Sequence, residues 1–441
     1  MAATATDKSG NSMWRVGLSS LLGTTMEFYD FLVYGTMAAL VFGDIFFPEA
    51  GSSIVALLYS YATFAIGFFG RPIGGMIFGH YGDKLGRKLM LVVTMTVMGV
   101  ATIAIGCLPT YAQVGVLSPI LLIVCRLVQG LALGGEWGGA ALMVMESAPD
   151  GKRGMWSSLT QMGASFGMIL STGMVALVTQ LPNEAFMAWG WRVPFLFSVV
   201  LIVLALYVRS TLKESRVFEQ MKEDKKEAKM PLIEVFKKQP GAVIKTAGIG
   251  ATNNVSYYFV ATIALSYGTT QLGFPRSTMV NALLVVSIVY LFTLPLFATL
   301  TDTFGRKKII GLGIILVGLF AFPYFKMLET GNFFLIGLAM TLMLAVFQSM
   351  VYSSQAAFFP EQYDPRYRYT GASLSTNLAT SIFGGTCPFI ATALSGAAGG
   401  ASWPMSLYLV CICIMSFICL YFTKETYKAD VTEYQADKLE A

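Results

Sequence analysis

Charge is scarce in this chain: 12% of its 441 residues are Asp, Glu, Lys or Arg, where a soluble domain carries roughly a quarter. So few charges cannot clothe a chain of this length in a water-facing surface, and water is excluded as its main solvent. Histidine is scarcer still. The single His80 leaves no imidazole cluster for a metal centre or for acid–base catalysis, so an integral-membrane enzyme is not expected, nor a metal or cofactor. The six cysteines, Cys107, Cys125, Cys387, Cys411, Cys413 and Cys419, fall within apolar runs. They lack disulfide or metal-ligand spacing and read as small packing residues. No Walker A sequence occurs, so ATP is not the expected energy source. The net charge of +5 traces to basic residues beside apolar runs, with no nucleic-acid-binding patch.

What the chain has in abundance is apolar sequence, 55% of all residues. Continuous runs of twenty or more residues recur, each long enough to cross a hydrocarbon core of roughly 30 Å. Such runs predict helices rather than a barrel, whose strands alternate over about ten residues. Twelve spans are read, near 17–43, 54–79, 87–108, 117–145, 154–180 and 190–210, then 242–270, 277–300, 308–328, 332–359, 370–397 and 403–423. With the N-terminus inside, the outer side carries only Arg192, Arg276 and Lys326, so both termini are expected in the cytoplasm. The first span is too long for a cleaved signal peptide and lacks a small-residue cleavage site. The expected class is an all-α, multi-pass protein of the inner (plasma) membrane. The Asn254-Val255-Ser256 sequon lies inside a span and is a chance match.

The chain divides and repeats. Residues 1–210 form a first six-helix bundle, 211–241 a charged cytoplasmic linker centred on Lys222 to Lys229, and 242–441 a second bundle. Asp83, Gly86, Arg87 and Lys88 recur 219 residues later as Asp302, Gly305, Arg306 and Lys307, each after the second span of its half. Glu146 and Arg153 stand seven apart after the fourth span, as do Glu361 and Arg368 after the tenth. Two parallel repeats follow. In the turn from Gly79 to Lys88 glycines allow tight reversal, and Asp83 is placed to meet basic groups and a helix N-terminus. These eight charged residues, Asp83, Arg87, Glu146, Arg153, Asp302, Arg306, Glu361 and Arg368, are the candidates for a cytoplasmic gate.

That turn resembles the loop signature of the major facilitator superfamily. Further stretches resemble its metabolite:proton symporter family: Glu27-Phe28-Tyr29-Asp30-Phe31-Leu32 with Tyr34-Gly35, Gly70-Arg71-Pro72, and Arg126, Gln129-Gly130 and Gly134-Gly135-Glu136-Trp137-Gly138-Gly139. The likeness continues through Glu146-Ser147-Ala148-Pro149, Trp189 to Phe195 and Arg368-Tyr369-Thr370-Gly371. Within the family the wording around Tyr29 to Pro48 and Gly134 to Pro149 is most similar to the shikimate-type branch. The resemblance implies two pseudo-symmetric six-helix bundles, alternating access, and a monomer that carries a small molecule with a proton. Ala298 departs from the glycine that would begin the second loop signature, so a looser second latch is expected.

Ionisable residues well inside the spans are Glu27, Asp30, Arg71, Arg126 and Glu136, all in the first half. Each costs about 2.5–3.5 kcal/mol at a helix centre, so they are expected to face the bundle interior. Glu27 and Asp30 are three apart and share a face, as do Arg126, Gln129, Glu136 and Trp137. At 1.5 Å per residue they form two layers, Asp30 with Arg126 near the middle and Glu27, Arg71 and Glu136 nearer the cytoplasm. The upper pair resembles the proton-coupling aspartate and arginine of sugar:proton symporters. The lower layer counts two acids against one base, and a surplus buried carboxylate is a proton site. Asp30, Glu27 and Glu136 are therefore the proton-coupling candidates, Asp30 foremost.

Substrate-binding candidates are Arg126 and Arg71, as guanidinium anchors for a carboxylate, with Gln129, Trp137 and Tyr34. The second half adds uncharged Asn253, Asn254, Tyr257, Gln348, Tyr352 and Asn377, suited to a hydroxylated ligand. Glycine pairs at spacing four, Gly70/Gly74, Gly75/Gly79, Gly134/Gly138, Gly135/Gly139 and Gly163/Gly167, permit close helix contact. The fifth span lacks the glycine-proline signature of drug antiporters, which favours symport. The expected function is proton-coupled import of a small organic acid, shikimate-like or another carboxylate. Alternatives are a proton symporter of a zwitterionic osmolyte such as proline or betaine, disfavoured because no heptads follow Lys424, and, more remotely, a membrane sensor on a transporter scaffold.

Overall fold

The computed structural model describes residues 13–51, 53–211, 231–270 and 272–428. The charged centre of the linker, 212–230, lies outside the described residues. The helical passages are α1 (13–46), α2 (Ser53–Leu85), α3 (Arg87–Cys107), α4 (Leu117–Ser147), α5 (Arg153–Val178) and α6 (Gly190–Ser210). The second half holds α7 (240–270), α8 (Arg276–Phe304), α9 (Arg306–Glu329), α10 (Phe333–Glu361), α11 (Arg368–Ala397) and α12 (Trp403–Tyr421). Among the described residues nine helices are long and apolar enough to cross a membrane, or ten if the bent α1, with a 43° break after Met37, counts as one. Large apolar side chains such as Phe69, Leu319, Phe334 and Phe389 stand on the outside of the bundles, each more than 70% exposed. Lipid is the solvent that suits them.

Local signals set the boundaries. Pro194, Pro240 and Pro404 sit in the first turns of α6, α7 and α12, where a missing N–H costs nothing. The turn from Gly79 to Lys88 is tighter than its glycine content suggests. α2 runs on to Leu85, six residues past the expected end at 79, and Gly86 alone makes the reversal with φ 108° before α3 starts at Arg87. Gly305, φ 102°, does the same between α8 and α9.

Each bundle has its own core. Trp191, Phe42, Phe46 and Phe195 interlock in the first, and Phe259, Tyr324, Phe325 and Tyr267 in the second. In the first, α2 and α4 meet backbone to backbone. A Cβ on Gly130 would strike the carbonyl of Gly67, and one on Gly74 the carbonyl of Leu131, so small residues here are a packing requirement. The bundles touch along α5 with α8 and along α2 with α11, pairs that exchange under the repeat. The short helix Pro231–Lys238 that ends the linker tucks Val235 beneath both bundles, in a cluster with Met76, Tyr363 and Leu374.

Candidate functional site

At the end where α2 turns into α3, two latches join the bundles. Asp83 accepts hydrogen bonds from the Tyr369 and Thr370 amides (3.3 and 3.0 Å) and from the Thr370 hydroxyl (2.7 Å). Those amides belong to the first turn of α11, so a carboxylate of one bundle caps a helix of the other. Asp302 does the same in reverse, accepting from the Gly154 and Met155 amides of α5 at 2.8 Å each. Behind Asp83, Arg87 pairs with Glu146 at 2.8 Å with both side chains fully buried, and Arg368 approaches Glu146 from the second bundle at 3.6 Å. Behind Asp302, Arg306 grips Glu361 through two bonds of 2.7 and 2.8 Å and reaches Asp302 at 3.2 Å. Arg153 bonds Asp150 at 2.9 Å. Ala298 does not loosen the second latch: its hydrogen bonds are as short as those of the first.

Above the latches a cavity of about 80 Å³ lies between the bundles. Of the expected substrate residues, Arg71, Trp137, Asn253 and Asn254 line it, together with Tyr257, Gln348, Tyr352 and Asn377. Glu27 is the one acid in the lining and Arg71 the one cation, and they form a direct ion pair. Arg71 lies over the Phe31 and Phe68 rings, 6.0 and 5.7 Å from their centroids. From the second bundle, Tyr290 donates to Gln348 (2.7 Å), which donates to Asn253. Asn377 spends its amide on the Gly134 and Ser373 carbonyls (2.6 and 2.7 Å), which makes it glue between α11 and α4. Four buried polar atoms of the lining have no protein partner: Glu27 Oε2, Tyr257 OH, Gln355 Nε2 and Thr376 Oγ1. All four belong to residues that line the cavity, a lining that suits a polar guest.

The other expected residues lie elsewhere. Asp30 and Arg126 share a layer, but among the described residues no ion pair joins them. They are linked through a relay: Arg126 donates to Gln129 (2.9 Å), Gln129 to Thr102 (2.6 Å), and Thr102 to Asp30. The Arg126 guanidinium also stacks 3.7 Å from the Tyr34 ring centroid, and Tyr34 bonds Thr63 at 2.6 Å. None of Asp30, Arg126, Gln129 and Tyr34 lines the cavity. Glu136 corrects the charge count of the lower layer. It is no surplus acid, because Arg209 of α6 binds both its oxygens and Thr94 donates to it at 3.0 Å.

Sequence reasoning missed Arg209, Thr102 and Gln161. Arg209 stands in the last turn of its helix, where a basic residue is ordinarily a snorkelling anchor; the lone excess acid Glu136 was the available clue. Gln161 bridges the bundles, accepting from Trp137 Nε1 (3.1 Å) and donating to the Tyr352 carbonyl (2.9 Å).

Known proteins share this architecture. A family model described as "Sugar (and other) transporter" matches residues 16–249, and one described as "Major Facilitator Superfamily" matches residues 246–439. The chain is 41% identical to the shikimate transporter of Escherichia coli K12 over 94% of this chain and 95% of that one. It is 34% identical to the proline/betaine transporter of Salmonella typhimurium LT2, covering 92% of this chain and 82% of the relative. Among solved structures it is similar to the proton:xylose symporter XylE bound to 6-bromo-6-deoxy-D-glucose, with a TM-score of 0.76 and 16% identity over 96% of this chain and 98% of that one.

Proposed function

This chain belongs to the major facilitator superfamily, a family of membrane transporters and not of enzymes, and on that premise we propose that it imports a small organic acid together with a proton. The observation that carries the reading is the cavity: one guanidinium, one carboxylate and a ring of uncharged donors and acceptors, enclosed between two bundles. A bidentate guanidinium suits a carboxylate, and the Asn, Gln and Tyr groups suit hydroxyls on the same guest. The 41% identity to a shikimate transporter supports a hydroxylated cyclic carboxylate as the substrate class. In this reading Arg71 is the anchor, Asn253, Asn254, Tyr257, Gln348 and Tyr352 sort hydroxyl patterns, and Trp137 is a wall.

Alternating access follows from the two-bundle plan. The trans caps of Asp83 and Asp302, with the Arg87–Glu146–Arg368 and Arg306–Glu361 clusters, form the cytoplasmic gate, and Arg153 starts the helix that Asp302 caps. Opening inward requires those caps to break. The protein sits in the bacterial inner membrane as a monomer, both termini cytoplasmic. A proton entering down a potential of about 150 mV, negative inside, supplies roughly 3.5 kcal/mol, enough for a few-hundredfold accumulation. For a monoanion the proton cancels the charge, and the pH gradient becomes the drive. Asp30 and its relay to Arg126, beside the cavity, are placed to register the protonation state of the first bundle.

A zwitterionic osmolyte is the second reading, favoured by the proline/betaine relative and by the opposite charges of Glu27 and Arg71 side by side. The deciding test is a thermal-shift screen of the purified protein against shikimate, hydroxybenzoates, di- and tricarboxylates, glycine betaine and proline. The organic-acid reading expects a rise in melting temperature with a carboxylate and none with betaine or proline. The opposite pattern replaces it with the osmolyte reading.

A further inference from the structure

Among the described residues, Glu27 is the one buried acid of the first bundle that lines the cavity. Glu136 is held by Arg209 at both oxygens and by Thr94, and Asp30 ends a relay outside the cavity. Glu27 lines the cavity, is 5% exposed, and gives one oxygen to Arg71 while Oε2 has no partner. Resting on the organic-acid reading, we propose that Glu27 and the substrate carboxylate compete for Arg71, so that protonation of Glu27 is the condition for loading the anion. Coupling then happens at the binding site itself.

Charge accounting inside the cavity argues for this. With Glu27 ionised, the lining sums to zero, and an entering monoanion leaves one uncompensated negative charge in a low-dielectric space. With Glu27 protonated, Arg71 and the substrate carboxylate form the neutral pair instead, and the Glu27 carboxyl gains an O–H to donate to its guest. The proton comes from the outer aqueous phase onto a Glu27 oxygen, and no other bond is made or broken. On the cytoplasmic side, loss of that proton restores the Glu27–Arg71 pair and expels the anion. A zwitterion behaves differently: it matches ionised Glu27 and Arg71 together and takes up no proton. The charged and titratable groups facing Glu27 are Arg71 from α2, Glu136 from α4 with its partner Arg209 from α6, Tyr257 and Tyr258 from α7, and Tyr352 from α10. The cavity residues of α5 and α11, Ala164, Thr376, Asn377, Ala379 and Thr380, are uncharged.

The test is calorimetric titration of the purified full chain with shikimate between pH 5 and 9, in buffers of different ionisation enthalpy. The expected result is uptake of about one proton per shikimate at the upper end of that range, with affinity falling about tenfold per pH unit there. Glu27→Gln should bind shikimate with no proton uptake and a flat pH profile. Wild-type binding without proton uptake overturns the proposal, as does a Glu27→Gln protein that still takes up the proton. Should Glu27→Gln fail to fold, the wild-type linkage to shikimate decides alone. A protein that binds glycine betaine and no carboxylate at any pH removes the organic-acid reading and this proposal with it, an outcome distinct from carboxylate binding without a proton.

Discussion

The two bundles share one backbone plan and the same latch, yet they differ in where they keep charge. The first buries Glu27, Asp30, Arg71, Arg126, Glu136 and Arg209 within its helices, while the second presents Asn253, Asn254, Gln348, Tyr352 and Gln355 to the same cavity. At the trans caps no such division exists: Asp83 accepts from the first turn of α11 and Asp302 from the first turn of α5. The repeat is therefore symmetric at the trans caps and divergent at the cavity, where one half buries charged groups and the other offers uncharged polar ones.

The largest effect is expected at the charge lattice of the first bundle. Glu136→Ala should lower stability by about 3–5 kcal/mol, because it strands Arg209 in a buried site. Thermal melting of the detergent-solubilised protein reads this, and replacing both partners by Leu and Met should recover most of the loss. A Glu136→Ala protein as stable as the parent would mean that the lattice is not structural. Next comes the anchor. Arg71→Lys should weaken carboxylate binding by about 2–3 kcal/mol, since lysine lacks the planar fork, whereas Arg126→Lys, outside the cavity, should shift affinity far less. Equal losses in the two variants would erase the distinction between cavity pair and relay.

The symmetric region predicts symmetric consequences. Asp83→Asn and Asp302→Asn each weaken a trans cap by about 1–2 kcal/mol, so both should slow transport to a similar degree and change ligand affinity less than tenfold. Uptake rates and equilibrium binding measured on both variants check this, and a loss of binding in one alone would place that residue in the site. The smallest effect belongs to the second bundle. Tyr257→Phe removes a hydroxyl that has no protein partner, so stability should hold or rise slightly while affinity for a hydroxylated acid falls by about 0.5–1.5 kcal/mol.

Much of this was legible beforehand, for physical reasons. Apolar run length gives the spans, the recurrence of Asp83 and Arg87 as Asp302 and Arg306 gives the repeat, and the expense of a charge in lipid points at Glu27, Arg71 and Glu136. What stayed hidden were partners fixed by three-dimensional crossing. Arg209 lies 73 residues from Glu136, in a turn where basic residues normally face headgroups. Thr102 is an ordinary helix residue until the crossing of α3 and α4 puts it, with Gln129, between Asp30 and Arg126. The continuation of α2 to Leu85 was obscured by Gly79 and Gly82, which read as turn formers but serve close approach to Thr370 and Tyr369.

The central claim is that a monoanion and a proton enter together through one cavity, with no net charge moved. It is tested most directly in proteoliposomes by measuring shikimate uptake under an imposed pH gradient and, separately, under an imposed membrane potential. The account predicts accumulation driven by the pH gradient, inside alkaline, and indifference to the potential. Uptake that follows the potential and ignores the pH gradient would contradict it.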